Sequence, residues 1–146
     1  MDADQTPLRR SSVERAKGKL ASICPFFIVQ DLQTSISHYV ERLGFELDFQ
    51  GPPGDVYYGQ VSRDGIGIML KAILPDVLPI PTHTRHEWAR WDACIYTPDP
   101  DTLFDEFKHR GASFVKELSF IDDGLWGFEI SDADGYVIAF FRTRNA

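Results

Sequence analysis

The stretch Asp31–Phe45, "DLQTSISHYVERLGF", contains a whole helix together with its start and stop signals. Asp31 is of the type that caps a helix, because its side-chain oxygen accepts from a backbone N–H of the first turn. Leu32, Ile36, Tyr39, Val40 and Leu43 recur at helical spacing, and Gly44 supplies the left-handed residue that ends the run. The pattern returns at 99–114 as "DPDTLFDEFKHRGASF". There Asp99 or Asp101 caps, Leu103, Phe104 and Phe107 face inward, and Gly111 stops the helix.

Strands flank both helices. "ICPFFIVQ" (23–30) leads into the first, "FELDFQ" (45–50) follows it, and "GPPGD" breaks the chain before "VYYGQVSRDGIGIMLKA" (56–72), a hairpin turned at Asp64-Gly65. Around the second helix lie "WDACIYT" (91–97), "ASFVKEL" (112–118) and "GLWGFEIS" (124–131), with Asp134-Gly135 turning the chain into "YVIAFF" (136–141). Asp31 to Asp99 is 68 residues, Gly44 to Gly111 is 67 and Gly65 to Gly135 is 70, so the chain is a two-fold internal repeat. The fold class expected is α+β, built of two tandem βαβββ modules at about 22–75 and 89–142 within one domain at 21–142. The proline-rich "ILPDVLPIPTHTRHE" (73–87) has no period, and a linker is placed at about 76–88. Residues 1–20 form a polar, basic extension with Arg9, Arg10, Arg15, Lys17 and Lys19, read as a solvated tail rather than a partner-binding segment.

Composition narrows the function. A chain of 146 residues buries enough surface for its own core. The net charge of −7 argues against a nucleic-acid backbone as partner and mildly favours a cationic one. No apolar run reaches the ~20 residues that span a bilayer, and no signal core opens the chain, so the expectation is a soluble cytoplasmic protein without a membrane role. Cys24 and Cys94 lie in apolar strands and are expected as buried thiols.

The paired modules, with "VQDL…S…YVERLGFEL" in the first and "DADGY" before the last strand, resemble the vicinal-oxygen-chelate superfamily: glyoxalases, extradiol dioxygenases, fosfomycin-resistance and bleomycin-resistance proteins. The resemblance covers about residues 22–142. It implies curved mixed sheets around a concave site, commonly in a homodimer. It also implies four metal positions, which fall here at Cys24, Asp92, Ala139 and Met69, with Gly67 the alternative to Met69. The usual His and Glu are absent from all of them. A catalytic divalent metal needs three or more protein donors, so neither a metal nor another cofactor is expected. His83 and His86 in the linker are read as exposed side chains rather than additional ligands. Neither Ser35, Ser37 and His38 nor the acidic cluster Asp99, Asp101, Asp105 and Glu106 makes a catalytic set: neighbouring helical residues do not face one another, and acids at a helix start complement its dipole.

What remains is an apolar cavity. Strand parity puts Cys24, Phe26 and Ile28 on one face, with Asp92, Cys94, Tyr96, Val137, Ala139 and Phe141 on the equivalent face of the second module. Tyr57, Tyr58, Trp126 and Phe128 are expected to rim it, and Asp92 to be its polar anchor. The expected function is small-molecule binding of the bleomycin-resistance type, sequestering an apolar or aromatic ligand, suited to a cationic one, without metal. The alternative is a lyase, isomerase or dioxygenase in the same cavity, either on nonstandard metal ligands or metal-free with Asp92 as general base.

Overall fold

A computed structural model describes residues 16–73, 75–121 and 124–142. The first fifteen residues of the basic extension, with Arg9, Arg10 and Arg15, lie outside them. The first module runs β1 (Phe26–Ile28), α1 (Leu32–Leu43), β2 (Glu46–Gly51), β3 (Tyr58–Arg63) and β4 (Ile66–Lys71). The second runs β5 (Ala93–Thr97), α2 (Pro100–Arg110), β6 (Ser113–Phe120), β7 (Trp126–Ser131) and β8 (Val137–Arg142). The first strand is short because Pro25 has no N–H for the ladder; its carbonyl instead accepts from Met69 N.

Local chemistry explains the ends of these elements. Asp31 accepts from Thr34 N at 2.9 Å, and Gly44 closes α1 at φ 71°. Of the two candidate caps for α2, Asp99 is the one used, accepting from Thr102 N at 3.2 Å; Pro100 then occupies the first helical position, where its missing N–H costs nothing. Asp64 and Gly65 have φ 51° and 80°, the pair of positive values that a two-residue hairpin turn demands.

Each module forms a four-stranded mixed sheet, ordered β1-β4-β3-β2 and β5-β8-β7-β6, with β1–β4 and β5–β8 parallel and the other pairs antiparallel. One face of each sheet packs on helices. Phe27, Val29, Val61, Ile68 and Leu70 from the first sheet share a core with Phe128, Ile130, Ile138 and Phe140 from the second, together with Leu32, Ile36, Tyr39, Leu43 and Phe107 of the helices. The modules therefore join through their helix sides. Tyr39 OH donates to Asp132 Oδ2 across the seam at 2.7 Å, Tyr136 OH donates to the Ile28 carbonyl at 2.6 Å, and the Phe27 and Tyr136 rings stack at 4.3 Å. On the other flank the Arg63 guanidinium grips Glu106 through two hydrogen bonds of 2.9 and 2.7 Å. Among the described residues, the elements of the two modules whose backbones approach most closely are α1 and α2. Each sheet so keeps a face turned away from its helix, here called its open face.

Candidate ligand-binding site

Register places the side chains of each open face in rows. On the first sheet Phe26, Met69 and Gln60 form one row, and Ile28, Lys71 and Tyr58 the next. Phe26 is 53% exposed. Asp48 receives Ser62 Oγ at 2.7 Å and Gln60 Nε2 at 2.9 Å, and these bonds, that from Ser62 first, hold its carboxyl below the usual range. Sequence reasoning missed this polar trio. Its signal was the alternation within "YGQVSR", which puts Gln60 and Ser62 on one face.

On the second sheet Cys94, Ala139, Glu129 and Lys116 form one row, and Tyr96, Phe141, Gly127 and Ser119 the next. Tyr96 is 48% exposed, and Cys94 is exposed rather than the buried thiol expected. Ala139 and Phe141 face the open side but are covered, packing with Leu125, Trp91 and Ile121. Gly127 is small for a reason: a Cβ there would lie 1.9 Å from the Phe140 carbonyl oxygen.

Two expectations need correction. Phe128 does not line the open face; it is fully buried under α2, stacked on Phe140 at 5.3 Å and edge-on to Phe104 and Phe107. Trp126 shares that parity, and its Nε1 donates to Asp101 at the start of α2. Both follow from β7 alternating between faces, with Gly127, Glu129 and Ser131 taking the open one. Asp92, expected as the polar anchor, is engaged within the chain. Its Oδ1 accepts from Thr82 N and Oγ1, and its Oδ2 from Val137 N, so it fastens the linker to β8.

The linker lies across the second sheet. His83 Nε2 donates to the Gly135 carbonyl at 3.0 Å, and His86 Nδ1 accepts from Trp88 N. From the linker's end, Arg90 Nη2 and Trp91 Nε1 both donate to Glu129 Oε2, whose side chain is 1% exposed. Sequence reasoning missed all three residues. Glu129 was within reach of the register: counting back from the Asp134-Gly135 turn pairs Ser131 with Val137 and Glu129 with Ala139. Arg90 and Trp91 were not, since their placement depends on how the linker docks.

The donor set does not fit a divalent metal. Among the described residues no group of three or more His, Cys, Asp or Glu side chains is placed to hold one. Asp92 is spent on the linker, Ala139 has no donor, and Met69 offers a soft thioether. Gly67 is crowded by its neighbours, for a Cβ there would lie 3.0 Å from Cys24 Sγ and 3.2 Å from Gln60 Nε2. Among the described residues no helix is long and apolar enough to cross a membrane.

Solved structures share this architecture. The bleomycin-binding protein of bleomycin-producing Streptomyces verticillus, complexed with copper(II)-bleomycin, is similar at 21% identity and TM-score 0.63, covering 88% of this chain and 100% of that one. A glyoxalase/bleomycin resistance protein/dioxygenase from Alicyclobacillus acidocaldarius is similar at 20% identity and TM-score 0.66, covering 85% and 92%. TioX from Micromonospora sp. ML1 is similar at 18% identity and TM-score 0.64, covering 84% and 98%. No curated protein matches in sequence. The family model matches residues 19–140, almost the whole of both modules. The chain belongs to the glyoxalase/bleomycin resistance protein/dioxygenase superfamily.

Proposed function

We propose that the protein binds a planar, largely apolar small molecule without a metal, in a homodimer whose two chains each supply one open face to a site. The observation that carries this reading is the pairing of exposed aromatic side chains on both open faces with a donor set that does not fit a metal. Phe26 and Tyr58 on one sheet and Tyr96 on the other leave apolar surface in water, which marks a binding or contact surface. Within one chain the two faces do not meet, so a second copy is what closes the cavity. The similarity to the bleomycin-binding protein supports the ligand class only as an analogy of fold. Asp92, the general base of the enzymatic alternative, is occupied by the linker and β8, which disfavours the metal-free form of that alternative.

The test is a thermal-shift screen of planar aromatic compounds on protein purified without chelators and on the same protein after EDTA. Equal stabilisation in both is expected, at about 3 kcal/mol for a ligand at a hundred times its Kd. Stoichiometric Zn, Mn or Fe that is lost in Cys24→Ala, together with ligand binding that requires it, overturns the reading.

A further inference from the structure

The open face of the second sheet carries an ion pair between a buried carboxylate and a half-exposed guanidinium. Glu129 sits mid-sheet beside Ala139, and a carboxylate there costs several kcal/mol of desolvation that an apolar residue avoids. One of its two carboxylate oxygens, Oε2, takes both Arg90 Nη2 and Trp91 Nε1. Such convergence fixes the Arg90 side chain more than it stabilises the sheet.

Arg90 is the half of the pair that a ligand can touch. Its side chain is 45% exposed against 1% for Glu129. It borders an open groove of about 500 Å³, lined also by His83, Glu87, Val115, Glu129 and Val137. The guanidinium is planar with several N–H donors, so the bond to Glu129 engages one edge and leaves a fork that matches a carboxylate. Glu87 on the groove wall carries the opposite charge to Arg90. The Trp91 ring, packed against Phe141 at 5.1 Å, backs the guanidinium, whose Cζ lies 5.8 Å from the ring centroid.

We infer that Arg90 recognises the ligand, that Glu129 positions it, and that the ligand carries an anionic oxygen group on its aromatic body. This names the ligand class for the binding function proposed above and rests on that reading. It is the opposite sign to the one that the net charge of −7 suggests. The charge a ligand meets is local, and the carboxylate nearest the fork is already paired with Arg90.

Three planar probes of similar size decide the matter: benzoate, benzamidine and indole, titrated into the metal-free full-length protein and followed by intrinsic tryptophan fluorescence and amide chemical shifts. Benzoate is expected to bind at least about ten-fold more tightly than benzamidine. Arg90→Ala is expected to weaken benzoate by about ten- to a hundred-fold and indole by far less, and Arg90→Lys to recover only part of the loss. Glu129→Gln removes a negative charge, yet benzoate affinity is expected to fall because the fork loses its hold; electrostatics alone predicts a rise. Tighter binding of benzamidine, or of indole alone, overturns the anionic inference and keeps the binding function. Unchanged benzoate affinity in Arg90→Ala, with the melting temperature of the wild type, removes Arg90 from the site. A gain in benzoate affinity in Glu129→Gln removes the positioning role. Binding of none of the three probes overturns the binding function and the inference with it.

Discussion

Phe128 and Glu129 are neighbours in sequence and do opposite work. Phe128 ends under α2 among Phe104, Phe107, Phe114 and Phe140, while Glu129 ends on the open face under Arg90. The sequence supplied what was needed to tell them apart, since alternation along β7 and the register from the Asp134-Gly135 turn assign each to its face. Reading "GLWGFEI" by aromatic content alone obscured it. The assignment makes a prediction. Phe128→Ala is expected to destabilise the fold by about 3 to 5 kcal/mol, as truncating a buried phenyl ring does, read as a lower urea midpoint. Phe128→Leu is expected to cost less and to leave indole and benzoate affinities at wild-type values. A loss of affinity in Phe128→Leu, at a temperature where it is fully folded, would return Phe128 to the binding face.

The element that the sequence marked most sharply is the turn Asp132–Tyr136. Its role as a turn was legible: Asp132 Oδ1 accepts from Asp134 N and Tyr136 N, both at 2.9 Å, and Gly135 takes φ 88°. Its role as the pin between modules was not, because Tyr39, Gln30 and Ile28 lie about a hundred residues away and no local pattern announces them. Burial at the pin raises the Asp132 carboxyl to about 6, against the opposing effect of the hydrogen bond from Tyr39 and those from the turn. The folded state thus holds that proton to higher pH than the unfolded chain. The contribution to stability is complete below the unfolded value near 3.8 and is lost as pH rises through about 6. Asp132→Asn keeps an acceptor for the turn and can donate to the Tyr39 oxygen, without the ionisation. Relative to wild type it is therefore expected to gain stability between pH 4.5 and 7.5, by an amount on the order of 2 to 3 kcal/mol. Urea melts of both proteins at the two pH values check this; a difference that stays constant, or shrinks as pH rises, rules out Asp132 as the titrating group.

At the scale of the molecule, the seam sets what one chain can do alone. The helix sides of both sheets are consumed by a common core and by the Arg63–Glu106 clamp, so the open faces take no part in joining the modules. The repeat and its element order were legible from Asp31, Gly44 and their echoes at Asp99 and Gly111, whereas the joining of the modules was not, since pairing within a chain and pairing between chains bury the same apolar sets. The structure decides for the helix sides within the chain, and that choice has a countable consequence if a second copy completes each site. Phe26→Ala spoils the first module's face and Tyr96→Ala the second's, so each variant alone is expected to lose binding of an aromatic probe. Unfolding and refolding the two together in equal amounts makes about half of the dimers mixed, and in a mixed dimer one site pairs two intact faces. About a quarter of wild-type binding capacity is therefore expected to return, measured by titration at matched protein concentration. A site assembled within one chain returns none, because every chain in the mixture carries a spoiled face.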